Sequence, residues 1–227
     1  MKLVFGRIGL TTLALTLLLG ACAPAPTGGS TAAPTSTTSV AALTEVNVVM
    51  GYIPNIQFAP FYVAEKKGYF AAAGIKVKYD WGFEVDGVKL VGANQSDFAL
   101  LGGDQVIQAR AQGIPLVYVA NYYNAFPIAI FSLKERNIQT PKDLIGKKVG
   151  LPAFFGATYT GWRALLYGSD IKESDVNTQD VGFAQVAALT QGLVDAAAGY
   201  SNNEPVQLIL AGKQINVIQV SDYSKLV

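Results

Sequence analysis

The sequence predicts an α/β protein with mainly parallel sheets, arranged as two lobes around a cleft. Three observations carry this. Short β-rich runs alternate with helical runs of 3.6-residue period from Glu45 onwards, glycines and prolines punctuate nearly every junction, and the alternation restarts near residues 124–132 as a second series. A strand-then-helix repeat that restarts once implies two sheets. In open sheets of this kind ligands gather beyond the carboxyl ends of the strands.

The elements follow in order. "VNVVMGYI" reads as a strand, "FAPFYVAEKKGYF" as a helix ending towards Gly68, "GIKVKYDW" as an alternating strand, and "VDGVKLVGAN" as a short helix. "DFALLGG" is a strand ending in glycines, "DQVIQARAQG" a helix stopped by Gly113, and "IPLVYVANYY" a long strand. The second series opens with "PIAIFSLKERNI". "TPKDLIG" follows as a helix with Thr140 as N-cap and Pro141 in its first turn. "KKVGLPA", "VNTQDVGF", "AAAGYSN" and "INVIQVSD" read as strands, separated by the helices "ATYTGWRALLYGS", "AQVAALTQGLVD" and "EPVQLILAG".

Composition narrows the chemistry. The 227 residues hold 17 basic and 16 acidic side chains for a formal charge of +1, which gives no electrostatic basis for binding nucleic acid. Histidine is absent and cysteine occurs once, so the commonest general base, the Ser-His and Cys-His nucleophile systems, an intrachain disulfide and a cysteine metal cluster are all excluded. No cofactor is expected, nor is a nucleotide site: the second-lobe loop lacks the G-x-x-x-x-G-K-[ST] pattern.

The N-terminus reads as an address. Lys2 and Arg7 precede an apolar run from Ile8 to Leu19 that ends in small residues at Cys22, which is the order of a secretory signal (residues 1–21) and too short for a membrane span. "LGAC" resembles the lipobox of bacterial lipoproteins, which implies lipidation of Cys22 and a protein anchored at the extracytoplasmic face of a membrane. Loss of Lys2 and Arg7 from the 17 basic residues would leave 15 against 16 acidic. Residues 22–44, rich in Pro, Ser, Thr, Gly and Ala, read as a flexible tether. Lobe 1 is expected over 45–126 and lobe 2 over 127–222.

"GYIPNIQFAPFYVAEKKGYFAAAGIKV", "DFALLGGDQVIQARAQGIPLV", "TPKDLIGKKVGLP" and "VDAAAGYSNNEP", in that order, resemble substrate-binding proteins of ABC importers, in particular the subgroup whose members bind thiamine-pyrimidine precursors or riboflavin. The resemblance covers nearly all of residues 46–222. It implies the two-lobed periplasmic-binding-protein-like (type II) fold, closure about a hinge, and a permease with its ATPase as partners. It also implies a return segment completing lobe 1, with residues 223–227 starting that crossover. A related yeast enzyme builds the thiamine pyrimidine from its own histidine and uses a cysteine-rich iron site. A chain without histidine is expected to bind and not to catalyse.

Candidate ligand residues lie at the carboxyl ends of the expected strands. Asn55 and Gln57 occupy the first strand-to-helix loop, where amides present donors and acceptors to a heterocycle edge; Phe58 beside them faces either the ligand or the core. Trp81 follows the second strand and offers a stacking surface. Gly103 lets a ligand approach the backbone, and Asp104 is either a ligand contact or a plain helix cap. Tyr122 and Tyr123 lie where the chain crosses between lobes, as stacking groups or hinge braces. Phe154, Phe155 and Tyr159 surround a glycine-containing helix start in lobe 2; Trp162 is read as core and Arg163 as helix surface. Tyr200, Asn202, Asn203 and Glu204 end a strand as specificity groups. Aromatics and amides with few cations suit a neutral planar heterocycle. The aromatic loop of lobe 2 favours a flavin over a pyrimidine. A sulfonate- or nitrate-binding protein and a sensory surface lipoprotein are the alternatives.

Overall fold

Residues 42–225 are described by the computed structural model of the chain, and two sheets organise them. The first is wholly parallel, in the order β2-β1-β3, with β1 spanning Thr44–Met50, β2 Ile75–Trp81 and β3 Phe98–Leu100. Parallel neighbours need crossovers. The chain makes them through a 3-10 turn at Ile56–Phe58 followed by α1 (Ala59–Lys66) and α2 (Tyr69–Ala72), and then through α3 (Glu84–Gly92). Helix α4 (Gly103–Ala111) follows β3. Pro60 lies in the first turn of α1, where its missing N–H is not needed, and Gly68 (φ 74°) takes the left-handed conformation that ends the helix.

One face of this sheet packs into a core, and a second cluster forms between the helices α3 and α4. Val48, Met50, Tyr52 and Phe58 form one cluster, against which Val77, Tyr79 and Trp81 of β2 pack. Val106 and Ala109 of α4 join Leu116 in the other, with Val88 and Val91 of α3.

The second sheet has the order β6-β5-β7-β4-β8, from β4 (Ile128–Leu133), β5 (Lys148–Leu151), β6 (Asn177–Asp180), β7 (Ala196–Tyr200) and β8 (Ile215–Gln219). β5 is parallel to β6 and β7, while β4 runs antiparallel to both β7 and β8. All six residues of β4 are buried because helices cover both faces. On one side Ile128 and Ile130 meet Trp162 and Leu165 of α5 (Gly156–Gly168); on the other Phe131 meets Leu189 of α6 (Gln185–Thr190) and Leu208 of α7 (Glu204–Leu210). Gly161 permits the close approach of α5 to β4, since a Cβ there would stand 2.8 Å from the Phe126 ring and 3.0 Å from Ile128.

Two local expectations fail. The long strand expected over 114–123 does not form; Val117, Tyr118 and Val119 are 62–71% exposed and only Leu116 is buried. Apolar alternation makes a strand only where a ladder partner is available, and here side-chain hydrogen bonds tie the segment to α4 instead. Arg110 donates to the Leu116 carbonyl at 2.8 Å, and the Tyr118 hydroxyl donates to the Gly103 carbonyl at 2.7 Å. The helix expected over "TPKDLIG" is a single 3-10 turn, Pro141–Leu144. Thr140 does hold the N-cap position, and the Asp143 carboxylate accepts from its N–H at 2.8 Å. The signal segment, the lipidation site Cys22 and the tether up to residue 41 lie outside the described residues, while Thr44, assigned to the tether, already belongs to β1.

Leu165 is fully buried and Leu210 is 82% exposed. Leu165→Ala is expected to lower unfolding free energy by about 2–5 kcal/mol, and Leu210→Ala to change it by no more than about 0.5 kcal/mol. Urea unfolding midpoints of the two variants check this.

Candidate functional site

Both sheets present a Gly-Tyr pair at a strand end. Gly51-Tyr52 follows β1 and Gly199-Tyr200 closes β7. Each glycine lies under the glutamate that opens a helix: a Cβ on Gly51 would collide with Glu84 at the start of α3, and one on Gly199 would stand 2.5 Å from Glu204 Oε2 at the start of α7. A missing side chain lets a helix N-terminus, with its carboxylate, settle over the strand end.

The tyrosines then cross between the sheets. The Tyr52 hydroxyl donates to Glu204 Oε1 at 2.7 Å, with Gln185 Oε1 3.1 Å away. The Tyr200 hydroxyl donates to Glu84 Oε1 at 3.0 Å. Glu84 is also the acceptor for the Ala157 N–H, at 3.2 Å in the first turn of α5, and for Gln105 Nε2 on α4. Glu204 accepts the Tyr200 N–H at 2.9 Å and Asn203 Nδ2 at 2.8 Å. Thr160 of α5 adds a third crossing, donating to Asp104 Oδ2 of α4 at 2.7 Å.

Burial governs the electrostatics. It pushes the Glu84 carboxyl up to about 7, against the pull of its hydrogen-bond donors, and raises Glu204 in the same direction. Burial likewise raises Tyr52 and Tyr200, and the carboxylates beside them add to the shift. Around these groups runs a chain of rings: Tyr52 to Phe183 at 4.4 Å, Phe183 to Phe83 at 4.8 Å and Phe83 to Phe155 at 5.1 Å. The rings and Glu84 enclose a cavity of about 30 Å³, which has no lysine or arginine in its lining. Among the described residues no cluster of three or more His, Cys, Asp or Glu side chains could hold a metal.

The expected site residues divide into three groups. Tyr200, Glu204 and Phe155 meet at the cleft; Asn203 supports Glu204, and Asn202 approaches the Tyr123 hydroxyl at 3.5 Å. Asp104, Phe154 and Tyr159 face a neighbouring hollow between α4 and α5. Gly103 holds Tyr118 at its carbonyl and opens α4, whose N-cap is Gly102 and not Asp104. The third group lies outside these two spaces, although Asn55 lines a further hollow with Tyr52 and Glu204. Phe58 is 2% exposed in the lobe 1 core, and Trp81 packs 5.3 Å from its ring, so both are structural. The Asn55 amide closes its own turn, accepting from the Gln57 N–H at 2.9 Å and donating to the Ile53 carbonyl at 2.7 Å. Gln57 is buried, and Tyr122 braces it by donating to its carbonyl at 2.8 Å.

Sequence reasoning missed Tyr52, Phe83, Glu84, Gln105, Phe183 and Gln185. One partial signal was present: the Gly-Tyr dipeptide recurs at two strand ends, and after the second of them Glu204 opens the next helix.

Two outcomes follow for stability. An unfolded chain releases the Glu84 proton near 4.5 and the folded chain near 7, so the folded state binds more protons between those values and its stability falls as pH rises through them. The loss is on the order of 3 kcal/mol. Comparing urea midpoints at about pH 5 and pH 8, the wild-type chain should lose that much more than Glu84→Gln. Tyr52→Phe and Tyr200→Phe, each removing a donor from a buried carboxylate, should cost about 1–3 kcal/mol apiece near neutral pH in the same measurement.

Comparison with known proteins fits this architecture. A riboflavin-binding protein, RibY, of Chloroflexus aurantiacus is 42% identical over 213 residues, covering 91% of this chain and 60% of that protein. A formylaminopyrimidine-binding protein of Halalkalibacterium halodurans is 30% identical over 185 residues, 80% of this chain and 56% of that one. The chain therefore spans less than two thirds of the length of either relative. The periplasmic aliphatic sulphonate binding protein SsuA of Escherichia coli superposes with a TM-score of 0.56 over 77% of this chain and 60% of that one, at 21% identity, which is a likeness of fold. The description of the NMT1/THI5-like family matches residues 55–226, and the chain belongs to that family.

Proposed function

We propose that this chain is the ligand-capturing component of an ABC importer, and that its ligand is a small planar heterocycle of the riboflavin or thiamine-pyrimidine type. The observation that carries the reading is the lining of the interlobe cleft: aromatic rings and the buried Glu84 carboxyl, with Glu204 bonded to Tyr52 beside it and no lysine or arginine in the lining. Rings stack on a flat ligand, and the carboxyl groups of Glu84 and Glu204 accept from its ring-edge N–H groups. The same carboxylates disfavour a sulfonate or nitrate, which needs lysine or arginine at its oxygens. The relatives named as riboflavin- and formylaminopyrimidine-binding support the same ligand class.

Capture requires motion. A cavity of about 30 Å³ holds no more than a water, so the lobes part to admit a heterocycle and the crossed Tyr–Glu pairs break as they do. The chain crosses between the sheets at residues 121–127, beside Tyr122 and Tyr123, and this crossing is the hinge. The closed, loaded form then delivers its ligand to the permease. No covalent step belongs to this function; the chain has no histidine and one cysteine, and the buried carboxyls serve as hydrogen-bonding groups. Cys22 anchors the protein at the extracytoplasmic face, a reading that rests on the apolar run from Ile8 to Leu19 and the "LGAC" segment that ends it.

Calorimetric titration of the purified chain, with flavin fluorescence as a second readout, tests the reading. Saturable one-to-one binding of riboflavin or formylaminopyrimidine is expected, with no heat from taurine or nitrate. Phe155→Ala and Phe183→Ala should each weaken the heterocycle about tenfold, or ~1.4 kcal/mol. Binding of taurine or nitrate without either heterocycle would overturn the proposal. For the anchor, Cys22→Ser should abolish incorporation of labelled palmitate and move the protein from the membrane to the soluble fraction. Retention of label in that variant would refute lipidation at Cys22.

A further inference from the structure

A second hollow, of about 580 Å³, lies between α4 and α5 next to the crossed Tyr–Glu pairs. Helical spacing builds its walls. Asp104 and Gln108 are four residues apart on α4, and Tyr159 and Arg163 are four apart on α5, so each pair shares a face. Phe155 and Gly156 line both this hollow and the ring-lined cavity, so the two adjoin there.

The chemistry of the hollow differs from that of its neighbour. Gln105 is 6% exposed and gives its Nε2 to Glu84, while its Oε1 has no hydrogen-bond partner. A buried amide oxygen left without a donor is costly, and a ligand hydroxyl at that point would remove the cost. Asp104 and Thr160, already joined at 2.7 Å, offer a carboxylate oxygen and a hydroxyl. The exposed Arg163 holds its guanidinium 5.9 Å from the centre of the Tyr159 ring and supplies donors at the mouth.

We propose that this hollow binds a flexible, uncharged, polyhydroxylated chain attached to the heterocycle held in the cleft; the proposal rests on the reading of the cleft given above. A hydroxyl both donates and accepts, so a short run of them meets Gln105 and Asp104 as acceptors and Arg163 as donor without importing charge. A phosphate suits the hollow less well. Arg163 is the only basic side chain lining it, and carboxylates stand close by at Asp104 and at Glu173, to which the Tyr159 hydroxyl donates at 3.1 Å.

The test compares three probes on the purified chain: riboflavin; lumichrome, the same ring system without the chain; and FMN, whose chain ends in phosphate. Riboflavin is expected to bind at least tenfold more tightly than lumichrome and more tightly than FMN. Thr160→Val and Gln108→Leu should each cut the riboflavin-to-lumichrome affinity ratio at least threefold, with lumichrome binding also reporting that the variants are folded. Equal affinities for riboflavin and lumichrome would overturn this inference and leave the cleft reading standing. So would a preference for riboflavin that neither variant alters, or tighter binding of FMN. Failure of all three flavins to bind would remove the flavin form of the cleft reading and this inference with it, while formylaminopyrimidine binding in the same preparation would preserve the broader one.

Discussion

Two buried carboxylates, each held by a tyrosine from the opposite lobe, form the constraint on which the interlobe region depends. A buried charge or acid is tolerated only when hydrogen-bonded, and Glu84 and Glu204 have no donor set that one lobe alone completes. Glu84 draws on Tyr200 and the Ala157 N–H of the other lobe, and Glu204 draws on Tyr52. The contact between the lobes satisfies both carboxyls.

The rest of the local architecture serves this contact. Gly51 and Gly199 have no side chain because a carboxyl group occupies the space where one would sit. The N-termini of α3 and α7 face the cleft because their strands end there, and their backbone dipoles favour an acid at that position. Asn203, fully buried, bonds both Glu204 and Gln207, so the second carboxylate is fixed by its own helix before the first lobe arrives. Phe83 and Phe183 stack beside the pair, and burial lifts the Glu84 carboxyl to about 7.

Residues singled out from sequence fared according to what each could reveal by itself. Tyr200 and Glu204 stood at a strand end beside a helix start, a place that faces a cleft in any open α/β sheet, and the structure sets both in the hydrogen bonds that join the lobes. Phe58 and Trp81 occupied equally plausible places, yet the face onto which each turns depends on how α1 lies over the sheet. Asn55 was singled out because an amide presents donors and acceptors to a heterocycle edge, and in the structure one donor and its oxygen are engaged by its own turn. Gln105 was invisible: nothing in "DQVIQARAQG" distinguishes a glutamine facing Glu84 from one facing water.

Local sequence by itself determined the alternation of strand and helix, most element boundaries to within a few residues, the restart into a second lobe and the exclusion of histidine and cysteine chemistry. Those follow from periodicity, punctuation and composition, which are properties of neighbouring residues. Tertiary structure alone decided whether Ile114–Tyr123 would find a ladder partner, because a strand exists only in company. It alone decided that β4 runs antiparallel between β7 and β8, where each of its residues is buried. And it alone paired Tyr52 with Glu204 and Tyr200 with Glu84, contacts across 152 and 116 residues of chain. No pattern within a short window can encode such a contact, since its energy arises only when two separately folded lobes exclude water between them.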